Sequence, residues 1–336
     1  AEDCFNQALK RAPDYRPACA NRALLRLGRG GFGPGWRDYL LRPSMEGNPD
    51  NVSREPIAAD LGGRHLLVLN DQGLGDEVFF LRFVPELVRR GATITYRTDP
   101  RLAAMFDRLP FLDRVISQTD TPEPSGQADA RVSVGDLPFL LGMDQAAQIP
   151  PPLVLEPLAG TDARMAERLD AAGPPPYVGL TWRSGIQQLN RRSKIVPVDG
   201  IAEALRGMPA TLIALQRGPE NGEIASLASR VGREVHDFSA INDDLEDMLA
   251  LVGRLDDYVG VSNTNIHLMI ARERTCRVLV PNPAEYRWMT EGDFSPWFPG
   301  SRVYRETPDD GWRLAFEALR VDVAAAHAGT PPNDGG

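Results

Sequence analysis

Two short polar clusters in this chain stand where open α/β proteins do their chemistry, just past apolar runs of strand length. The first is Asn70-Asp71-Gln72-Gly73-Leu74-Gly75-Asp76-Glu77, which follows Leu66-Leu67-Val68-Leu69. Gly73 and Gly75 let the backbone turn sharply and let a ligand approach the start of the next helix. Asp76 then stands at the mouth of the crevice above a parallel sheet. It reads equally as the N-cap of a helix beginning at Glu77. The second cluster is Ser262-Asn263-Thr264-Asn265-Ile266-His267, at another strand end. Backbone N–H groups there can hold a diphosphate, with Thr264 and His267 adding side-chain donors. The plainer alternative is that Asn263 and Thr264 only cap the helix and His267 is a satisfied, partly buried histidine. Two crevices able to face each other suggest an enzyme that brings two substrates together.

Other polar groups gather at strand ends in the second half. Thr181-Trp182-Arg183-Ser184-Gly185 closes one strand, and the basic loop Arg191-Arg192-Ser193-Lys194 follows. Gln216-Arg217-Gly218-Pro219 closes another. Glu285, Arg287 and Trp288 lie beyond a later strand as candidate cleft-lining residues. Trp288 offers a ring on which a base or sugar can stack, or is simply core. Trp297 and Tyr304 are assigned to packing, and His65 and His236 flank strands with no partner signal.

The elements that position these groups alternate. Helical patterning covers 1–42, with helices at 1–12, 16–27 and 35–41, and a proline-bearing polar linker spans 43–60. Strands are expected at 66–70, 93–97, 115–116 and 131–134, helices at 77–90 and 102–109, and Gly91 as a C-cap. The runs Pro150-Pro151-Pro152 and Pro174-Pro175-Pro176 bracket a helix at 161–172 and mark a boundary. A second alternation follows, with strands at 177–182, 211–216, 235–238, 258–262 and 277–280. Helices at 199–206, 222–231, 244–255 and 267–272 separate them, and a last helix at 310–326 precedes a Gly/Pro tail. Each half reads as a parallel sheet covered by helices.

Composition bounds the function. The chain has 336 residues, 42% of them hydrophobic, and a net charge of −9 with no long acidic or basic block. That length can hold two ordinary domains. No apolar run approaches a transmembrane span. The charge balance argues against nucleic acid as the main partner but not against a phosphorylated ligand, for which a few placed cations suffice. Cys4, Cys19 and Cys276 are odd in number and lack metal-site spacing, so the reducing cytoplasm is the expected compartment. No signal peptide is evident. The chain lacks an initiator Met and opens in what reads as mid-helix, so it is expected to be a piece of something longer.

Several motifs resemble one bacterial family. They are Gln72-Gly73-Leu74-Gly75-Asp76-Glu77-Val78-Phe79-Phe80-Leu81-Arg82-Phe83, Glu285-Tyr286-Arg287-Trp288, Ser295-Pro296-Trp297-Phe298-Pro299 and Val303-Tyr304-Arg305. The turn Ala12-Pro13-Asp14-Tyr15-Arg16-Pro17-Ala18, followed by Asn21-Arg22-Ala23-Leu24-Leu25, is similar to the inter-repeat turn of a tetratricopeptide array. The family is the tetratricopeptide-repeat proteins with a C-terminal glycosyltransferase-like domain, related to the lipopolysaccharide heptosyltransferases of glycosyltransferase family 9. The resemblance implies an α/β fold of GT-B type, two Rossmann-like doubly wound domains facing a cleft after a remnant helical repeat. The expected organisation is a repeat remnant at 1–45, an acceptor domain at 60–172 and a nucleotide-sugar donor domain at 175–305. A helix crossing back at 306–328 and a disordered tail at 329–336 complete it.

The resemblance also implies roles. Asp76 matches the proposed general base, which takes the acceptor hydroxyl's proton as that oxygen attacks the anomeric carbon. Gly73 and Gly75 form the acceptor loop beside it. Lys194 and Arg183 match donor-phosphate contacts, where a fixed cation favours the departing diphosphate. Gln216 resembles a position near the nucleotide. Relatives commonly carry Asp-Thr with a His a few residues on; here Asn263 stands in place of the acid and His267 comes sooner.

No Asp-x-Asp occurs, and there is no Cys/His metal cluster, no Gly-Lys-Ser/Thr phosphate loop and no Gly-x-Ser-x-Gly elbow. A nicotinamide dinucleotide site is disfavoured because Val78 fills the third glycine position. The expected function is metal-independent sugar transfer from a nucleotide-sugar to an acceptor hydroxyl on a protein or glycan. No cofactor is expected beyond that co-substrate, and protein partners are expected through the repeats. The alternatives are an inactive scaffold that keeps the fold, and a nucleotide-sugar epimerase.

Overall fold

The computed structural model describes residues 1–47, 50–120, 128–184 and 195–327. The chain forms two compact units. Unit 1 comprises Ala1–Leu155 with Glu285–Glu291, and unit 2 comprises Glu156–Ala284 with Gly292–Gly336.

Unit 1 begins with α1 (Glu2–Arg11), α2 (Arg16–Gly28) and α3 (Phe32–Tyr39). Cys19, Ala23 and Leu27 recur at four-residue spacing on α2 and are all buried. Gly35 of α3 packs so closely that a Cβ there would lie 2.8 Å from the Leu27 side chain. Arg22 and Arg26 of α2 both reach Asp38 of α3, at 2.7 and 3.1 Å.

The first sheet follows, with β1 (His65–Leu69), α4 (Leu74–Phe80), α5 (Val84–Arg89), β2 (Thr93–Thr98) and α6 (Pro100–Phe106). Then come β3 (Arg114–Ser117), β4 (Ala130–Ser133) and α7 (Leu137–Leu140). The four strands are parallel in the order β3-β2-β1-β4. The single helix expected at 77–90 is broken into α4, a 3-10 turn at Leu81–Phe83, and α5. Pro85 explains the break, since it has no N–H for the Leu81 carbonyl and its ring crowds that oxygen. Gly91 follows α5 with φ +97°, the left-handed stop the sequence suggests.

Unit 2 contains α8 (Ala159–Ala172), β5 (Tyr177–Leu180), α9 (Val198–Ala204), β6 (Thr211–Ala214), α10 (Glu223–Val231) and β7 (Val235–Asp237). It continues with α11 (Leu245–Val252), β8 (Asp257–Gly260), α12 (Thr264–Ala271), β9 (Arg277–Val280), β10 (Arg302–Arg305) and α13 (Arg313–His327). Its six parallel strands run β10-β9-β8-β5-β6-β7, the dinucleotide-fold order counted from β5. Val178, Leu180, Leu212 and Val259 on the strands pack with Ile201, Leu227, Leu319 and Val323 on the helices in one buried core.

One boundary and one strand differ from the expectation. The units part at Leu155/Glu156, ahead of α8, which pairs within unit 2 through Arg164 with Asp247 of α11 and through Asp162 with Arg254 just past that helix. Strand β10, absent from the expected list, pairs with β9 at the sheet edge. Helix α13 lies in unit 2 and is tied to β10, with Tyr304 donating to Asp322 at 2.8 Å.

Candidate functional site

The sheet order of unit 1 places a topological switch between β1 and β4, and the loop Asn70–Gly75 leaves the end of β1 there. The left-handed residue of this loop is Gln72, at φ +64°, and neither Gly73 nor Gly75 has a positive φ. A non-glycine residue in that region is strained and persists only where its surroundings hold it. Helix α4 starts at Leu74, three residues earlier than expected, with Gly73 as N-cap. Asp76 is therefore inside the first turn and is not the N-cap. Its Oδ2 accepts from the Gly73 N–H at 3.1 Å, the half of a capping box that a glycine N-cap permits.

The other oxygen of Asp76 is held by Arg287, which arrives on the Glu285–Glu291 segment of unit 1. Arg287 also donates to Glu285 at 2.9 Å and lies over the rings of Phe79 and Tyr286, at 4.4 and 4.9 Å. Burial opposes its charge, but Tyr286, Asp76 and Glu285 outweigh burial and hold the guanidinium well above its ordinary value. Arg82 stacks 4.5 Å from the same Phe79 ring, and burial together with Arg287 draws it down to about 9. Asp76, Gly73, Glu285 and Arg287 thus come together. Trp288, a candidate stacking platform, is instead fully buried at 0% exposure and offers no ring face to solvent.

Next to Asp76, Glu77 is buried and surrounded by donors. Its Oε2 accepts from Thr98 at 2.7 Å and Tyr96 at 3.3 Å, and its Oε1 from Asn70 at 3.3 Å. Burial nevertheless dominates, and its carboxyl is pushed up from 4.5 to about 7. A carboxyl raised on folding contributes stability that is full below about pH 4.5 and lost as pH rises through about 7. On the order of 3 kcal/mol is expected to disappear across that window from this one group. Denaturant unfolding at pH 5 and pH 8 should show that loss in the wild type and its absence in Glu77→Gln. Equal pH slopes in the two proteins would remove Glu77 as the source.

The switch-point crevice itself holds Arg42, a residue the sequence reading passed over. Its Nε meets Asp71 and its Nη1 meets Asp136, both at 2.5 Å, and its Nη2 donates to Ser133 Oγ at 3.0 Å. Burial alone would lower this guanidinium, but Asp136 and Asp71 raise it above its ordinary value.

In unit 2 the corresponding switch lies between β5 and β8. Thr181 Oγ1, just past β5, accepts from Asn263 Nδ2 at 3.0 Å and shares a hydrogen bond with Tyr258 at 2.9 Å. Asn263 caps α12, its Oδ1 accepting from the Ile266 N–H at 3.2 Å. It therefore ties the two strand ends together as well as starting the helix. Thr264 opens α12 half-buried, while His267 is buried one turn on, edge-on to Phe298.

Gln216 is fully buried, and its Oε1 accepts from the N–H groups of Trp182 and Arg183, both at 3.0 Å. Its role is to shape the Thr181–Ser184 loop. Arg183 is only 8% exposed, paired with Glu223 and donating to the Gly218 carbonyl at 2.8 Å, so its charge is balanced within the unit. Lys194, with Arg191 and Arg192, lies outside the described residues. Among the described residues no cluster of three or more His, Cys, Asp or Glu side chains is arranged to hold a metal, and no helix is long and apolar enough to cross a membrane.

No family model matches the chain. It is 28% identical over 306 residues to Protein FlbA of Caulobacter vibrioides, a match covering 84% of this chain and 51% of that protein. The chain thus spans about half the length of this curated relative. A solved glycosyl transferase of family 9 from Veillonella parvula superposes with a TM-score of 0.60 at 12% identity, over 82% of this chain and 99% of that one. The ADP-heptose lps heptosyltransferase II of E. coli superposes with a TM-score of 0.54 at 12% identity, over 79% and 98%. The chain therefore has the α/β, parallel-sheet fold of the GT-B-like heptosyltransferases.

Proposed function

We propose that the protein is a glycosyltransferase that moves a sugar from a nucleotide-activated donor to an acceptor hydroxyl. The observation that carries this reading is Asp76, a carboxylate fixed at the first turn of α4 by the Gly73 N–H and by Arg287. Each carboxylate oxygen keeps a lone pair beyond the one so engaged, so the group can still accept a substrate proton. The acceptor oxygen attacks the anomeric carbon while its proton passes to Asp76. The bond from that carbon to the diphosphate oxygen breaks, and its electron pair leaves with the nucleoside diphosphate.

Unit 2 supplies the donor site in this reading. The start of α12, with Thr264 and His267, offers N–H and side-chain donors to the diphosphate, and Lys194 adds a cation. Charge stabilisation comes from these groups, so the proposed reaction is metal-independent. Asn263 and Gln216 hold the strand ends around the site. The proposed acceptor is a protein or glycan, and α1 and α2 are proposed as the closing repeat of a helical array that presents partners.

The test is a thermal-shift screen against UDP, GDP, ADP, CMP and their sugar conjugates. Ligand at a hundredfold excess over Kd stabilises the folded state by about 2.7 kcal/mol, a readily visible shift. One nucleotide is expected to shift the wild type and to lose that shift in Lys194→Ala. Silence across the panel at millimolar concentration favours the scaffold reading, which the internal pairing of Arg183 with Glu223 supports.

A further inference from the structure

We propose that the helical segment ahead of the first sheet is a positioning device for the Asp76 loop, acting through Tyr39 and Arg42. The functional half of this inference rests on the reading of Asp76 as the base. Its structural half stands on contacts within unit 1.

In an open parallel sheet the switch point is where a ligand ordinarily enters. Here the chain's own guanidinium occupies it. Arg42, just past α3, is 3% exposed and bridges Asp71, on the β1 loop, to Ser133 and Asp136, at the end of β4. The fit leaves no room for a side chain at Gly135, where a Cβ would lie 2.7 Å from Asp71 Oδ2 and 2.8 Å from Arg42 Nη2.

The neighbouring loop residue is held by the same helical segment. Tyr39, the last residue of α3, accepts a 2.6 Å hydrogen bond from Gln72 Nε2 through its hydroxyl. Gln72 is the left-handed residue of the loop, so this bond sits on the one strained backbone position between β1 and α4. Two successive side chains, those of Asp71 and Gln72, are thus fixed from one short stretch of helix. The Glu285–Glu291 segment grips the same framework, with Tyr286 ring-packed on Trp36 and Tyr39 and the Thr290 N–H on the Gly28 carbonyl at 2.8 Å. Arg287 on that segment holds Asp76 itself. The helical segment therefore sets where the loop, and with it the carboxylate, can stand.

Tyr39→Phe removes one oxygen and leaves the core volume intact. Gln72→Asn removes the same bond from the exposed side, with a longer 3.4 Å donation to Asp71 Oδ2, and keeps a residue that tolerates the left-handed conformation. Hydrogen exchange read by mass spectrometry is expected to speed up in peptides covering 70–75 by about fivefold in either variant, the effect of one neutral hydrogen bond. Unit 2 peptides and the midpoint of thermal unfolding should hardly move. The double variant should be no looser than Gln72→Asn alone, because Tyr39→Phe removes only a bond that Gln72→Asn has already removed. With donor and acceptor supplied, kcat is expected to fall by a similar factor at unchanged donor KM.

Unchanged exchange at 70–75, or an increase spread evenly over unit 1, overturns the proposal. Loosened exchange with wild-type kcat overturns its functional half. A wild type that turns over no donor removes the transferase reading, and the exchange result still decides whether Tyr39 holds the loop.

Discussion

Asp76→Asn is expected to lower turnover by about a hundred- to ten-thousand-fold, the usual contribution of a positioned general base. Donor affinity should stay within about twofold, because the groups proposed to hold the nucleotide belong to unit 2. Asparagine keeps the side-chain length and an oxygen for the Gly73 N–H, so α4 retains its start. What it loses is the capacity to take a proton and the charge opposite Arg287. Arg287 keeps Glu285 at 2.9 Å, which limits the damage of leaving a buried guanidinium without Asp76. Initial rates at saturating donor, with nucleotide affinity by calorimetry and the unfolding midpoint as controls, separate these effects. A wild-type rate in Asp76→Asn with an unchanged midpoint would leave the carboxylate only its helix-starting and ion-pairing roles.

Local signals made most of the fold legible. Leu66–Leu69 and Val278–Val280 are short apolar runs ended by turns, and both lie in the parallel sheets expected of them. Asp76 is legible as a candidate because a glycine loop between strand and helix is a local pattern. Its partner is not, since Arg287 lies 211 positions away and only the folded unit brings the two together. Arg42 had no local signal at all: it stands beside Pro43 in what reads as a linker, 29 and 94 positions from Asp71 and Asp136. Trp288 and Gln216 show what a local pattern leaves out. An aromatic or amide at a strand-end motif resembles a ligand contact, yet Trp288 is fully buried and Gln216 accepts from the N–H groups of Trp182 and Arg183. Arg82 carried an unused clue, a charge inside the apolar run Val78-Phe79-Phe80-Leu81-Arg82-Phe83, which marks a buried cation. The helical segment reads as a repeat remnant because the turn Ala12–Ala18 and the helix after it resemble an inter-repeat turn, a purely local signal. The contacts that join it to the rest of unit 1 are long-range, polar at Arg42 and Tyr39 and aromatic where Trp36 and Tyr39 pack on Phe80, and periodicity does not report them.

Arg42→Ala is expected to destabilise unit 1 by about 3–5 kcal/mol, the scale for removing one member of a buried ion network. The loss exceeds that of the contacts themselves, because Asp71 and Asp136 remain buried with no cation between them. That residue of like charge dictates a pH signature. Burial already pushes the Asp136 carboxyl above its ordinary value, and in the variant the Arg42 charge that opposes that rise is gone. Stability tied to its protonated form is present at low pH and lost as pH rises through the raised value. The deficit against wild type should therefore shrink towards pH 5 and grow towards pH 8. Adding Asp136→Asn to Arg42→Ala removes one of the two charges and should recover part of the loss, flattening the pH dependence at the same time. Denaturant titrations at both pH values, followed by a probe in unit 1, measure all three proteins. A deficit below about 1 kcal/mol would mean that water reaches the crevice and screens the pair as it does at a surface. A deficit that does not change with pH would mean that lost packing on Tyr39, over whose ring the guanidinium lies at 4.8 Å, outweighs the charges.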